Sequence, residues 1–238
     1  MKDIKQVTNE TKRNFPKAHL FLHLIRECEF KRVAEIGVFG GNLTKRVLAN
    51  VQVEKYYVVD PWKVYVESYD RPPTEKETKQ EYWDGLYNRL VEMQKKFQSI
   101  DIIRTTSVAG ARELKKKGEK LDCIYIDSIH DEENIVKDLY CWLPLVREGG
   151  VISGHDYIVR FASMGNALEK IFGEELELMI LNPDRKALSF KNTHQGGNWW
   201  VVVKNGNWKS DVISKIKETF PEHVSLAEEE WGEDGRDV

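Results

Sequence analysis

The run from Lys31 to Asn42 (KRVAEIGVFGGN) constrains the fold more than any other part of the chain. Val33, Ala34 and Ile36 are small or β-branched and read as a strand. Glycine then interrupts at Gly37, Gly40 and Gly41, and Leu43, Val47 and Leu48 follow at helical spacing, with Asn42 or Thr44 near the helix start. Strand, glycine turn, helix is the corner at which doubly wound α/β folds cradle a phosphate or a nucleoside. Glycine suits that turn because it adopts positive φ and lets the backbone approach a ligand closely.

The same rhythm continues downstream. Lys55 to Asp60 is a strand ending in an acid, where a carboxylate can accept hydrogen bonds from both hydroxyls of a ribose. The alternative for Asp60 is a cap or turn. Trp62 follows closely, and its indole either covers an adenine or fills the core. Asp101 to Ser107 is a third strand, whose Ser107 caps the helix Val108 to Lys117, touches the adenine end of a ligand, or does both. Leu121 to Asp127 is the most strand-like run in the chain. Ser128, Ile129, His130 and the N-cap candidate Asp131 lead into a helix from Glu132 to Leu145. Gly149-Gly150 close that unit, and Val151 to Tyr157 is a strand ending in His155-Asp156. A helix over Ser163 to Phe172, strands at Leu176 to Leu181 and Trp199 to Val203, and a helix over Ser210 to Phe220 complete the pattern.

Three segments fall outside this rhythm. Residues 1–29 read as an N-terminal extension with a helix from Pro16, its Leu20, Leu24 and Ile25 on one face. His19 and His23 on it have a spacing that can bind metal, but a surface pair is the plainer reading. Residues 62–97 carry Tyr65, Tyr69, Arg71, Pro72 and Pro73 before a helix from Lys76 to Phe97, a candidate lid or acceptor-site wall. Residues 228–238 read as a loose acidic tail. With 238 residues, no internal repeat and no linker-like composition, residues 1–238 form one expected domain.

Composition removes several function classes. A net charge of −3 argues against nucleic acid and against an anionic membrane surface as partners. No run approaches the roughly 18 apolar residues of a membrane span. Cys28, Cys123 and Cys141 are too far apart for a zinc motif or a disulfide framework, so a cytoplasmic setting is expected.

Five strands alternating with helices, then two strands close in sequence, specify a doubly wound, Rossmann-like α/β sheet that is mostly parallel with an antiparallel last strand. Glu35, Asp60, Ser107, Asp127 and Asp156 all fall at strand ends on its carboxyl edge, where such sheets bind ligands.

The spacing Glu35-x-Gly37-x-x-Gly40-Gly41 resembles motif I of class I S-adenosylmethionine-dependent methyltransferases. That family's seven-stranded sheet has the order 3-2-1-4-5-7-6. Ile126-Asp127-Ser128-Ile129-His130, the helix ending Trp142-Leu-Pro-Leu-Val, Gly149-Gly150 and Gly154-His155-Asp156-Tyr157 narrow the resemblance. They look like a bacterial branch that includes macrocin-type O-methyltransferases and cephalosporin hydroxylase-like proteins, over about residues 30 to 160. The resemblance implies S-adenosylmethionine bound by Glu35, Gly37, Gly40, Gly41, Asn42, Asp60, Trp62, Ser107 and Asp127. It implies O-methylation of a small-molecule acceptor and leaves open a homo-oligomer.

An oxygen acceptor must lose its proton, to a base or with the help of a metal. His130 has a suitable ordinary pKa for the base, with Asp127 beside it in sequence. Asp127 and Asp156 are hard oxygen ligands for Mg²⁺. The resembled branch often carries two acids where this chain has His155-Asp156, and nitrogen from His155 favours Mn²⁺ or another transition ion over Mg²⁺. Two other classes share parts of this pattern: a Rossmann-type NAD-dependent oxidoreductase, and a non-catalytic S-adenosylmethionine-binding protein.

Overall fold

The structure is a computed structural model that describes residues 19–64, 73–157, 162–179 and 197–233. Its elements are α1 (His19–Glu27), β1 (Arg32–Ile36), α2 (Asn42–Leu48), β2 (Lys55–Val59), α3 (Gln80–Lys96), β3 (Ile100–Ile103), α4 (Ser107–Lys116) and β4 (Leu121–Ile126). Then come α5 (Glu132–Trp142), β5 (Val146–Tyr157), α6 (Ala162–Phe172), β6 (Glu177–Met179), β7 (Gly197–Val202), α7 (Trp208–Thr219) and α8 (Pro221–Glu233). One seven-stranded sheet has the order β3-β2-β1-β4-β5-β7-β6. Its first five strands are parallel, and β7 runs antiparallel to both β5 and β6.

Helices on both faces explain why the inner strands read as nearly continuous apolar runs. Alternate residues of each strand enter opposite cores. Ala34, Ile36, Tyr57, Ile124, Ile152 and Trp199 pack under α4 to α8. Val33, Tyr56, Cys123, Val151 and Trp200 pack under α1 to α3. All three cysteines are buried and free. Among the described residues, no helix is long and apolar enough to cross a membrane.

The strand order reverses between β1 and β4, which opens a crevice at their carboxyl ends. There the two backbones nearly touch. Gly37 has φ +83°, its N–H donates to the Val59 carbonyl at 2.9 Å, and a Cβ on it would lie 2.3 Å from the Asp127 carbonyl oxygen. This glycine is required by backbone against backbone. Gly41 has φ +72° as the N-cap of α2, with Leu90 closing over it. Gly40 is different: its nearest neighbour to an added Cβ is a Leu86 methyl at 3.7 Å.

Beneath the turn, Glu35 is buried. Its Oε2 accepts from Thr44 Oγ1 and Tyr56 OH, each at 2.7 Å. Burial pushes its pKa up to about 8, against the lowering effect of those two hydroxyls.

Several expected boundaries move. β5 begins at Val146, and Gly149-Gly150 lie within it at a register shift against β4. α3 begins at Gln80, because Thr74 to Glu77 form a turn in which the Thr74 N–H and hydroxyl both donate to Glu77 Oε2 at 2.7 Å. Thr106, rather than Ser107, caps α4, accepting from the Ala109 N–H at 3.4 Å. Residues 228–233, expected in a loose acidic tail, continue α8, whose Val224 and Ala227 are buried in the core shared with α5. The sequence readings at Tyr65, Tyr69, Arg71, Pro72, residues 1–18 and Leu181 lie outside the described residues.

Two stability outcomes follow. Gly37→Ala adds both φ strain and a backbone overlap, so urea unfolding should show a loss of more than about 2 kcal/mol, while Gly40→Ala stays within about 0.5 kcal/mol of the parent. Glu35 keeps its proton in the fold up to about pH 8, but it ionises from about 4.5 in the unfolded chain. Its stabilising effect is therefore fully present below pH 4.5 and is lost as pH rises to 8, by an amount on the order of a few kcal/mol. In unfolding curves at pH 5, 6.5 and 8, Glu35→Gln should gain on the parent as pH rises; parallel curves would show that Glu35 is ionised in the fold.

Candidate functional site

A cavity of about 370 Å³ occupies the crevice at the carboxyl ends of β1, β2 and β4. Gly37, Asp60, Ser107 and Asp127, all anticipated from sequence, line it together. Val59, Pro61, Val108 and Ile129 give it apolar walls.

Asp60 serves the glycine turn directly. Its Oδ2 accepts from the Val38 and Phe39 N–H groups at 3.0 and 2.9 Å, and its Oδ1 from the Trp62 N–H at 2.8 Å. Burial raises its pKa, and the three backbone donors counter that. The carboxylate thus braces the turn while an edge of it faces the cavity.

Trp62 is turned away from the cavity. It is 0% exposed, its Nε1 donates to the Phe39 carbonyl at 2.8 Å, and its ring packs on Tyr87 at 5.3 Å between centroids. Of its two readings, filling the core is the one that holds. The aromatic groups on the cavity are instead Phe39, 45% exposed, and Trp83 of α3. Glu35, Gly40, Gly41 and Asn42 form the floor and far side of the turn and do not reach the cavity lining.

Ser107 and Ser128 both face the cavity, and both donate to one carboxylate that the sequence reading passed over. Asp138 on α5 is 3% exposed; its Oδ1 accepts from Ser107 Oγ and its Oδ2 from Ser128 Oγ at 2.7 Å. Burial pushes its pKa up to about 6, against the pull of those hydroxyls. The signal was present: Asp138 shares a helical face with Ile135, Leu139 and Trp142, where an acid needs a reason to be buried. Glu230 of α8 also lines the cavity, accepting from Thr106 Oγ1 at 2.7 Å and pairing with Lys137 at 3.3 Å.

At the β4–β5 side, Asp127 leads into a cluster of two acids and two histidines. His130 Nε2 lies 3.3 Å from Asp127 Oδ1 and 3.5 Å from Asp156 Oδ2. His155 Nδ1 lies 2.8 Å from Asp156 Oδ1 and 3.5 Å from Asp127 Oδ1. Burial alone would raise the pKa of both acids, yet the imidazoles hold both below the usual carboxylate range. Conversely, burial lowers the His155 pKa, but its two carboxylates carry it up to about 9. His155 is 7% exposed, and its Nε2 has no hydrogen-bond partner among the described residues. Asp156 takes φ +56°, a conformation costly for a non-glycine residue and one that aims its carboxylate back at the cluster.

One ligand atom from each of Asp127, His130 and Asp156 lies within 4.8 Å of the others, a spacing that can hold a cation. The donor set of two carboxylates and an imidazole suits Mn²⁺, Fe²⁺ or Zn²⁺ better than Mg²⁺. His130, rather than the His155 expected as a ligand from sequence, completes this group of three, and His155 flanks it through Asp156.

A family model described as a methyltransferase domain matches residues 34–157, a little over half of the 238 residues. Among solved structures, the chain is similar to the O-methyltransferase TomG from Streptomyces achromogenes, which is involved in tomaymycin synthesis and was solved with S-adenosylmethionine. The TM-score is 0.56 at 14% identity, covering 83% of this chain and 86% of that one. It is similar to an O-methyltransferase from Bacillus cereus in complex with S-adenosylhomocysteine, with TM-score 0.50 at 16% identity, covering 83% and 88%. At these identities the likeness is one of fold. No curated relative matches the chain. The matched span runs from β1 to the end of β5, the strands that build both the cavity and the histidine–aspartate cluster, and by it the chain belongs to the methyltransferase-domain family.

Proposed function

We propose that this methyltransferase moves a methyl group from S-adenosylmethionine to a hydroxyl oxygen of a small-molecule acceptor. One observation carries the reading: a nucleoside-sized cavity at the switch point ends at Asp127, and Asp127 is also a member of the cluster with His130, His155 and Asp156. Cofactor and acceptor would meet there. The glycine turn and Asp60 lie at the ribose end of such a cofactor, and Ser107 with Val108 at its base end. Membership of a methyltransferase family supports this over a nicotinamide-dependent oxidoreductase.

The reaction is an in-line displacement. The acceptor oxygen forms a bond to the methyl carbon, the carbon–sulfur bond breaks, and its electron pair stays on sulfur to give a neutral thioether. Positioning supplies most of the acceleration. The acceptor proton goes to the His130 ring, and Asp127 and Asp156, 3.3 and 3.5 Å from its Nε2, stabilise the imidazolium that forms. Phe39 and Trp83 wall the cavity from the glycine turn and from α3, which fits residues 62–97 as a wall of the site.

A second reading rests on the spacing of Asp127, His130 and Asp156. A divalent cation bound there would lower the pKa of an acceptor hydroxyl, with His130 a ligand rather than a base.

Calorimetry should show S-adenosylhomocysteine binding in the micromolar range, roughly −8 kcal/mol. Asp60→Ala should weaken it by about 1–3 kcal/mol; unchanged affinity would remove Asp60 from the cofactor's ribose. For the base, turnover is read as S-adenosylhomocysteine release across a panel of phenols and hydroxylated sugars. His130→Ala should lose roughly 10²- to 10⁴-fold with cofactor affinity intact, and the parent should keep its activity in EDTA. Activity that vanishes in EDTA and returns with Mn²⁺ would replace the base with the metal.

A further inference from the structure

The hydroxyl groups on the α4–α5 wall of the cavity share an arrangement that the methyl-transfer reading does not use. Ser107 donates to Asp138 Oδ1 and Ser128 donates to Asp138 Oδ2. Thr106, the third hydroxyl on this wall, donates to Glu230. A carboxylate is acceptor-only, so each hydroxyl proton is committed to an acid rather than offered to a ligand. What remains toward the ligand is oxygen lone pairs. Ser107 Oγ also accepts from Trp142 Nε1 at 2.8 Å, which fixes its rotation and leaves it one lone pair. Ser128 Oγ keeps two.

The other side-chain donors on the wall are turned to acids as well. Asn134 Nδ2 donates to both oxygens of Asp131 at 2.9 Å. Lys137 Nζ lies 3.4 Å from Glu133 and 3.3 Å from Glu230. Apart from the third N–H of Lys137, the side chains of this wall therefore present hydrogen-bond acceptors to a ligand that brings donors.

We propose that Asp138 is a positioning residue that, by taking the protons of Ser107 and Ser128, makes the cavity select a purine with an exocyclic amino group over one with a carbonyl at the same place. This rests on the S-adenosylmethionine reading and adds a specificity determinant to it. Asp138 lies in the cavity lining at 3% exposure and acts through the two serine oxygens, whose polarity it sets. A 6-amino group gives its protons to those oxygens, whereas a 6-oxo group sets lone pair against lone pair. Leaving buried polar groups mismatched in this way is the strong form of discrimination. Exchanging Asp138 for asparagine keeps the shape and changes the polarity. The amide donates to one serine, and that serine's own proton is released toward the cavity.

The test is calorimetric affinity for S-adenosylhomocysteine and for its deaminated analogue S-inosylhomocysteine, measured at pH 8 so that Asp138, with a pKa of about 6, is ionised. The parent should prefer the amino compound by roughly 10- to 100-fold. In Asp138→Asn that preference should fall at least several-fold, chiefly because the inosine compound binds better. A merely structural role would weaken both ligands together and leave their ratio unchanged, which would overturn the proposal. Should Asp138→Asn fail to fold, Ser128→Ala, at a partly buried position, removes one acceptor and should lower the same ratio; an unchanged ratio there overturns it equally. If the parent binds neither compound, the S-adenosylmethionine reading fails and this inference falls with it. Binding of S-adenosylhomocysteine with no preference over the analogue would sink the inference alone.

Discussion

The contact between the tips of β1 and β4 is what the rest of the site depends on. Gly37 lets the backbone leave β1 against the Asp127 carbonyl with no room for a side chain. The Asp127 N–H in turn donates to the Ile36 carbonyl at 2.8 Å. Two parallel strands are thereby held together up to their last residue, and their connections then leave for opposite faces of the sheet. The crevice between those connections is the cavity. Asp60 completes it from β2 by taking two N–H groups of the glycine turn, so three neighbouring strands fix one loop. A turn held in this way is organised before any ligand arrives, which lowers the cost of binding one.

Besides Glu230 at the rim, the site and the floor beneath it gather five carboxylates, kept by four different devices. Glu35 is so deeply buried that it keeps its proton. Asp60 is surrounded by backbone N–H groups. Asp127 and Asp156 share two imidazoles. Asp138 takes two serine hydroxyls. A buried carboxylate without such a partner would neutralise or destabilise the fold. The devices also separate the roles. A neutral acid supports the floor, amide-bound and hydroxyl-bound acids flank the cavity, and the imidazole-bound pair stands at its β4–β5 side.

The doubly wound sheet and the polar strand ends were legible because they depend on local pattern, whereas the strand order came with the resemblance to class I methyltransferases. Apolar runs of strand length, helical spacing between them and glycines at the turn are written residue by residue, and they placed Gly37, Asp60, Ser107 and Asp127 on one cavity. Directions of side chains were not legible. Trp62 follows a strand end that points at the cavity, yet φ +42° turns it into the core, and only the packing of Tyr87 and the Phe39 carbonyl decides that. Asp138 was missed because attention to strand ends ignores helix interiors. The positions of His130 and His155 relative to Asp156 depend on the positive φ of Asp156, which no spacing rule announces for an aspartate.

The C-terminal helix shows why the cavity could not be closed from the β1–β5 segment alone. Nothing in Pro221 to Glu233 reads as part of a ligand site; its acids look like a solvated tail. Yet Val224 and Ala227 seat α8 in the core shared with α5, and that seating carries Glu230 to the cavity rim. There Glu230 holds the Thr106 hydroxyl and the Lys137 ammonium together, linking the start of α4 to the middle of α5. Those are the two helices whose serines meet at Asp138. The acid on α8 is partly exposed, so its ion pair with Lys137 contributes little stability by itself. Its effect is one of orientation: it ties a hydroxyl and a cation of the cavity lining to one acid.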